Sequence, residues 1–268
     1  MECKVHRGVG PSTWGDAFSR RVDGEPVHFV RPADTQRPSW AAYGRHGYLG
    51  TLHARTDSDG LWHVQSAAER HSALDDAVRV LRRPSTWSRE CAIVGGWARE
   101  LLSDPALLMV DVQTSGLEKV WAVQIGALNN QGRTVVDEVL NPCAPICSAA
   151  SALHGITVER VAHAPTFTEL LPTLTRLFAG RRCVAYNMAF HRGVFERELL
   201  RHHRQRAPVQ IWLDSCQWED AIGPVAVWKG LWSARRSAYR RQPLGGTYDA
   251  VTKCQVILQR LQQLAAYA

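Results

Sequence analysis

Apolar positions recur with two different periods along the chain. Leu107–Val112 is an almost continuous apolar run, as expected of a strand buried on both faces. Strands at Val120–Leu128 and Arg133–Leu140 follow, parted by the turn sequence NNQG at 129–132. Beyond them the pattern predicts helices at Val158–Val161 and Thr168–Phe178, a strand at Arg182–Tyr186, and a helix from Phe190 to about His203. A fifth strand is expected at Val209–Leu213. After a tryptophan-rich stretch, Asp249–Ala266 reads as a helix with Ala250, Cys254, Ile257, Leu261 and Leu264 on one face. Three strands, then helix, strand, helix, strand, helix, describes an α/β domain with a mixed sheet and helices on both sides.

Residues 1–86 read as a small α+β N-terminal module, 87–106 as a helical linker, and 107–268 as the main domain. In the module a short helix is expected at Ser12–Arg21 and a strand at Pro26–Arg31. The alternating stretch Tyr48–Arg55, the turn Asp57–Gly60 and the return Leu61–Gln65 form a hairpin signal. A helix should start at Ser72 as N-cap, bury Leu74, Ala77, Val78 and Leu81, and stop at Pro84. The linker contains a helix at Arg89–Leu102. Modules of this size serve as DNA-binding and as plain interaction domains, and the sequence does not separate the two.

Composition narrows the class. Among 268 residues 45% are hydrophobic and 21% charged, the balance of a globular protein. No run approaches the ~18 apolar residues of a membrane span, so no membrane association is expected. The opening MECKVHRGVG has no hydrophobic signal core, and seven irregularly placed cysteines do not form a disulfide framework. A reducing, cytoplasmic setting is the expectation, with Cys143 and Cys147 as loop or core thiols. The net charge of +7 is carried by arginine, since Lys4, Lys119, Lys229 and Lys253 are the only lysines. Seven arginines against two glutamates lie between Arg181 and Arg206, and five basic residues with no acid between Lys229 and Arg241. Such clusters follow a phosphate backbone or form a solvated face.

Four collinear segments add chemistry. LLMVDVQTSGL (107–117), LHGIT (153–157) followed by APTF (164–167), VAYNMAFHRGVFEREL (184–199) and PLGGTYDAVTKCQVILQRL (243–261) resemble, in order and spacing, the motifs of the DnaQ-like (DEDDh-type) 3′–5′ exonucleases. The resemblance implies a ribonuclease-H-like exonuclease fold. It also implies an ancestral site of four carboxylates, two divalent metals and a histidine base, with the metals holding the attacking and leaving oxygens of the scissile phosphate. Matched position by position, Asp111 stands at the first acid, Gln113 at the second, His191 at the third, Tyr248 at the histidine and Lys253 at the last acid. A shortened loop would instead put Asp249 at the last acid. With Asp111 at −1, Lys253 at +1 and Gln113 and a neutral His191 at zero, the expected site carries no net charge, where the family's carries about four negative charges. Lys253 is expected to replace the metal by pairing with Asp111.

The resemblance therefore implies a catalytically degenerate exonuclease fold (a pseudo-exonuclease) acting as a nucleic-acid-binding or regulatory module, with no resident metal. The alternatives are an enzyme with a rebuilt pocket acting on a small molecule, and a residual exonuclease using one Mg or Mn ion. Nucleic-acid contacts are expected from His154, Asn187, Arg192, Arg235, Arg236, Arg240 and Arg241, with single-stranded nucleic acid or a nucleotide as ligand. A protein partner is expected to meet the tryptophan-rich segment 212–239. His154 carries a second reading as a packed loop residue, and Asn187 one as a cap or bridge at the strand end.

Overall fold

The computed structural model describes residues 16–32, 38–54, 61–116, 118 and 120–267. They form two compact units, residues 1–88 with 229–240 and residues 89–228 with 241–268. This division differs from the sequence reading at two places. The predicted linker helix lies in the second unit, and residues 229–240 join the first.

The first unit is a six-stranded antiparallel meander in sequence order, β1 (Ala17–Val22), β2 (Glu25–Val30), β3 (Ser39–Gly44), β4 (Gly47–Ala54), β5 (Trp62–Val64) and β6 (Glu69–His71), followed by α1 (Leu74–Leu81). Val22, Phe29, Trp40, Leu52, Val64 and Val78 fill its core. The helix expected at Ser12–Arg21 lies partly outside the described residues, and from Ala17 on it is strand β1. The cause is local: Asp23 and Gly24 both adopt positive φ (55° and 86°), the geometry of a two-residue hairpin turn. That turn returns the chain as β2, and Phe18 stacks on Phe29 with centroids 4.5 Å apart. Strand β3 is not legible in the sequence because its alanines carry no strand preference. The turn expected at 57–60 lies outside the described residues. Helix α1 is capped at Ala73, and no side chain caps it.

The second unit begins with α2 (Trp87–Ser103) and then lays down β7 (Leu107–Thr114), β8 (Ala122–Asn129) and β9 (Thr134–Val139) as an antiparallel meander. Short helices α3 (Ser148–His154) and α4 (Val158–Val161) lead to α5 (Phe167–Phe178), β10 (Arg182–Ala185), α6 (Met188–His203), α7 (Arg206–Asp214), β11 (Gln217–Asp220) and α8 (Ile222–Lys229). The chain closes with β12 (Trp232–Ser233) and β13 (Ala238–Tyr239), which pair in the first unit, and α9 (Ala250–Ala265). The sheet order is β11-β10-β7-β8-β9, with β10 parallel to both β7 and β11. This is the mixed sheet the sequence predicts.

The fifth strand, however, is not at Val209–Leu213. Val209, Trp212 and Leu213 are buried at i, i+3 and i+4 on α7, a helical spacing, and the strand is Gln217–Asp220. Period-2 alternation sorts β7 between two cores. Leu108, Val110 and Val112 meet Phe167, Phe178, Phe195 and Leu199 on one side. Leu107 and Met109 meet Leu101, Cys254, Ile257 and Leu261 of α2 and α9 on the other. Asp111 and Gln113 continue this second face.

Candidate active site

Where β7 runs out under the start of α9, the second unit holds a pocket of about 620 Å³. Asp111, Gln113, His154, Asn187, His191, Tyr248 and Lys253 all line it. The residues that the motif order singles out thus converge in space from widely separated positions. Arg192 and Arg241 are not among the lining residues, and Arg235, Arg236 and Arg240 belong to the other unit.

The floor is a closed set of hydrogen bonds. Gln113 Nε2 donates to Asp111 Oδ2 at 2.6 Å. The Val112 backbone N–H donates to His191 Nδ1 at 3.1 Å, so the ring proton resides on Nε2. From there it faces the Tyr186 carbonyl at 3.2 Å and Asp111 Oδ1 at 3.6 Å. Burial pushes the Asp111 carboxyl above its usual range, against the opposing pull of His191, Gln113 and Lys253.

The opposite wall is built from the loop before α9. Lys253 points into the pocket from the first turn of that helix, yet it makes no ion pair with Asp111, contrary to the sequence expectation. Its Nζ donates to the Gly245 carbonyl at 2.7 Å and sits 4.4 Å from the centre of the Tyr248 ring. The reason is reach: the loop 243–248 folds its carbonyls back over the helix start, nearer the ammonium than the strand is. Burial lowers the Lys253 pKa, and Asp111 works in the other direction.

Asp249, the alternative last acid, does not line the pocket. It caps α9, accepting from the Thr252 N–H at 2.8 Å and from Gln124 Nε2 at 2.9 Å. Burial raises its pKa, but these hydrogen bonds outweigh it and hold the carboxyl below its usual range. Gln124 also accepts from the Ala250 N–H at 3.1 Å, so one amide fixes the start of the helix that carries Lys253. Sequence reasoning missed Gln124, although a glutamine inside the apolar run AVQIGAL was a signal. Gly126 completes the seat: a Cβ there would lie 2.6 Å from the Ala250 carbonyl carbon.

Two expected contacts change character. His154 ends α3, and both its nitrogens are engaged, Nε2 with the Thr114 carbonyl at 3.1 Å and Nδ1 with the Ile156 N–H at 3.0 Å. These bonds support its packed reading, and it also lines the pocket. Asn187 does not cap α6 with its side chain; it takes a left-handed conformation (φ 72°), and its N–H donates to Asp220 Oδ1 at 3.0 Å. Strain of this kind persists only where the surroundings hold it, and it gathers at functional sites. Cys147, expected as a loop or core thiol, lines the same pocket and accepts from the Ala150 N–H.

Most of the Arg181–Arg206 cluster is used up inside the fold. Arg182 pairs with Glu100 and Glu219. Arg181 donates to the Leu177 and Pro105 carbonyls, Arg197 to that of Val120, and Arg201 to that of Pro142 while lying over Trp121. The tryptophans divide likewise. Trp212 is buried and Trp218 half-buried, both packed with Phe178 and Phe195. Trp232 packs edge-on against Tyr239 in the first unit.

Among the described residues, no group of three or more His, Cys, Asp or Glu could hold a metal ion, and no helix is long and apolar enough to cross a membrane. No family model matches the chain. Its sequence is 31% identical over 97 residues to the uncharacterized exonuclease CP81 of Escherichia phage 186, covering 36% of this chain and 50% of that protein. It is 27% identical over 101 residues to the PolC-type DNA polymerase III of Bacillus cereus, covering 36% of this chain and 7% of that one. The chain thus spans half the length of the first relative and a small part of the second. Among solved structures, exonuclease X in complex with 5′-overhanging duplex DNA aligns over 60% of this chain and 91% of its own, at 22% identity and a TM-score of 0.41. Its sequence relatives and its motif order support a relationship to the DnaQ-like 3′–5′ exonucleases of ribonuclease-H-like fold.

Proposed function

We propose that the second unit is a pseudo-exonuclease, a fold that receives a nucleotide or the end of a single strand in the pocket and does not hydrolyse it. The observation that carries this reading is Lys253, whose ammonium is held by the Gly245 carbonyl and the face of Tyr248 inside the pocket. A two-metal site needs several anionic oxygens free to bind cations. The side chains here do not suit it. Asp111 is the one carboxylate, and one of its oxygens accepts the Gln113 amide. His191 presents an N–H toward Asp111, and its other nitrogen is taken by Val112. A lysine ~4 Å from a cation repels each unit of its charge by about 4 kcal/mol at a near-surface dielectric.

What remains suits binding. A pocket of about 620 Å³ is in the range of small-ligand sites. Beside the Asp111 carboxylate and the His191 ring, its lining offers the Lys253 ammonium, the Gln113 amide and the backbone around a strained asparagine, and Phe190 and Tyr248 bring aromatic rings to it.

The test is digestion of a 3′-labelled single strand in Mg or Mn, together with a metal-dependent thermal shift. The expected result is no cleavage and no shift. Digestion abolished by Asp111→Ala would overturn the reading. The quadruple variant Gln113→Glu, His191→Asp, Tyr248→His, Lys253→Asp is expected to gain the metal-dependent shift that the natural chain lacks.

A further inference from the structure

The first unit has a recess of its own, about 300 Å³, between the tip of the β3–β4 hairpin, the end of α1 and the segment around Trp232. Arg45 and His46 form the exposed tip of that hairpin, and Arg82 lines the recess from below. Arg82 is nearly enclosed, with 6% of its side chain exposed, and its neighbours are the Val22 carbonyl at 3.2 Å and Glu25 at 3.5 Å. Those two oxygens answer only part of a guanidinium's five N–H donors. Burial lowers the Arg82 pKa, against the opposing pull of Glu25 and Asp23. An anion entering the recess would supply the missing acceptors.

Two further features say which anion. Arg235 and Arg236 are exposed on the turn just after Trp232, and neither they nor Arg45 form an ion pair with any described residue. These cations contrast with Arg79 and Arg83 nearby, which are spent on Asp23 and Glu69. On the same hairpin as Arg45, Tyr43 and Tyr48 are 41% and 60% exposed and lie side by side, with centroids 5.6 Å apart. Exposed aromatics beside free arginines form the combination that grips single-stranded nucleic acid, with bases stacked and phosphates neutralised.

We infer that the first unit carries a single-stranded nucleic-acid site, with a backbone phosphate in the recess among Arg45, His46 and Arg82 and bases laid on Tyr43 and Tyr48. The site is independent of the exonuclease-fold pocket and does not rest on the reading given for it.

The test uses the full chain and a labelled 12-nucleotide oligothymidylate, with a 12-base-pair duplex as the second arm, followed by fluorescence anisotropy from ~50 to ~200 mM salt. The triple variant Arg45→Glu, Arg235→Glu, Arg236→Glu should weaken single-strand binding roughly tenfold or more. It should also flatten the slope of log affinity against log salt by about 2, at ~0.7 for each phosphate no longer neutralised. Tyr48→Ala should cost about fivefold or more without changing that slope, because stacking carries no counterions. Arg45→Glu alone, at an exposed turn, serves if the triple variant does not fold. Unchanged affinity in a folded variant would overturn the inference. So would tighter binding of the duplex than of the single strand, or absence of any binding by the natural chain at ~50 mM salt. Loss through Lys253→Met with no loss through the hairpin variants would place binding in the other pocket and overturn this site alone.

Discussion

The floor of the exonuclease-fold pocket and the helix start beside it hold one carboxylate each, and the fold treats them in opposite ways. Asp111 is buried on β7, receives one amide hydrogen bond, and has its carboxyl pushed above its usual range. Asp249, at the start of α9, receives a backbone N–H and a glutamine amide, and its carboxyl is held below that range. Both attach to a family motif, yet only the first faces the pocket. The difference teaches that an acid at such a site can stabilise or destabilise the fold, according to how many donors point at it. Identity alone does not tell which.

The sharpest way to break the comparison is to unseat α9, because that helix start holds Asp249 and places Lys253. Gly126 on β8 allows the close approach. An added Cβ would meet the Ala250 carbonyl carbon at 2.6 Å and the Val251 nitrogen at 2.8 Å. Backbone cannot turn aside as a side chain can. Gly126→Ala is expected to destabilise the second unit by ~3 kcal/mol or more, read as a fall in the denaturant midpoint. A change below ~1 kcal/mol would mean that the helix sits farther from the sheet.

Asp249→Ala should cost less, about 1–2 kcal/mol. It removes an N-cap and one of the partners of the Gln124 amide, which keeps Asp137 at 3.2 Å. The sign with pH follows from the lowered carboxyl. A native group that holds its proton more weakly than the unfolded chain adds stability above the unfolded pKa and loses it as pH falls through the folded one. The gap between natural protein and variant should therefore close on acidification, measured by urea unfolding from pH 7 to about pH 3. A constant gap would assign the whole effect to packing.

How much of this is legible in the sequence follows the same division. The strands β7, β8 and β10 and the helix α9 are readable because each carries an apolar pattern that its few polar residues do not hide. The convergence of Asp111, Gln113, His191, Tyr248 and Lys253 is readable because the motifs come in family order. What fails depends on contacts that no local pattern records. Lys253 meets the Gly245 carbonyl instead of Asp111 because of how the loop 243–248 folds. Arg181, Arg182, Arg197 and Arg201 look like a binding patch because charge counts do not reveal which carbonyl or carboxylate each side chain will find. The reverse holds for Arg45, whose exposure at a hairpin tip depends on recognising β3, an alanine-rich strand with little propensity of its own. Trp212 and Trp218 read from sequence as either core or partner-facing; on α7 the helical spacing turns Trp212 inward, toward Trp218.

The smallest expected effect is also the most diagnostic. Asp111→Asn keeps the shape of the side chain and an oxygen to accept the Gln113 amide, while removing a charge that burial disfavours. His191 loses little, since its Nε2 proton retains the Tyr186 carbonyl. The variant should therefore be more stable than the natural chain near neutral pH, by ~1 kcal/mol, because a buried charge without full compensation gives way to a neutral group. The pH sign is the opposite of that at Asp249. Native Asp111 holds its proton more tightly than the unfolded chain, so its contribution is intact below the unfolded pKa and is lost as pH rises toward the folded one. The advantage of the variant should be absent near pH 3, open as pH rises past about 4, and then level off, followed by thermal unfolding across that range. A destabilised Asp111→Asn at pH 7 would mean that the carboxylate is a compensated anion, held by the Gln113 amide and the His191 N–H. In that case the floor and the helix start would be alike.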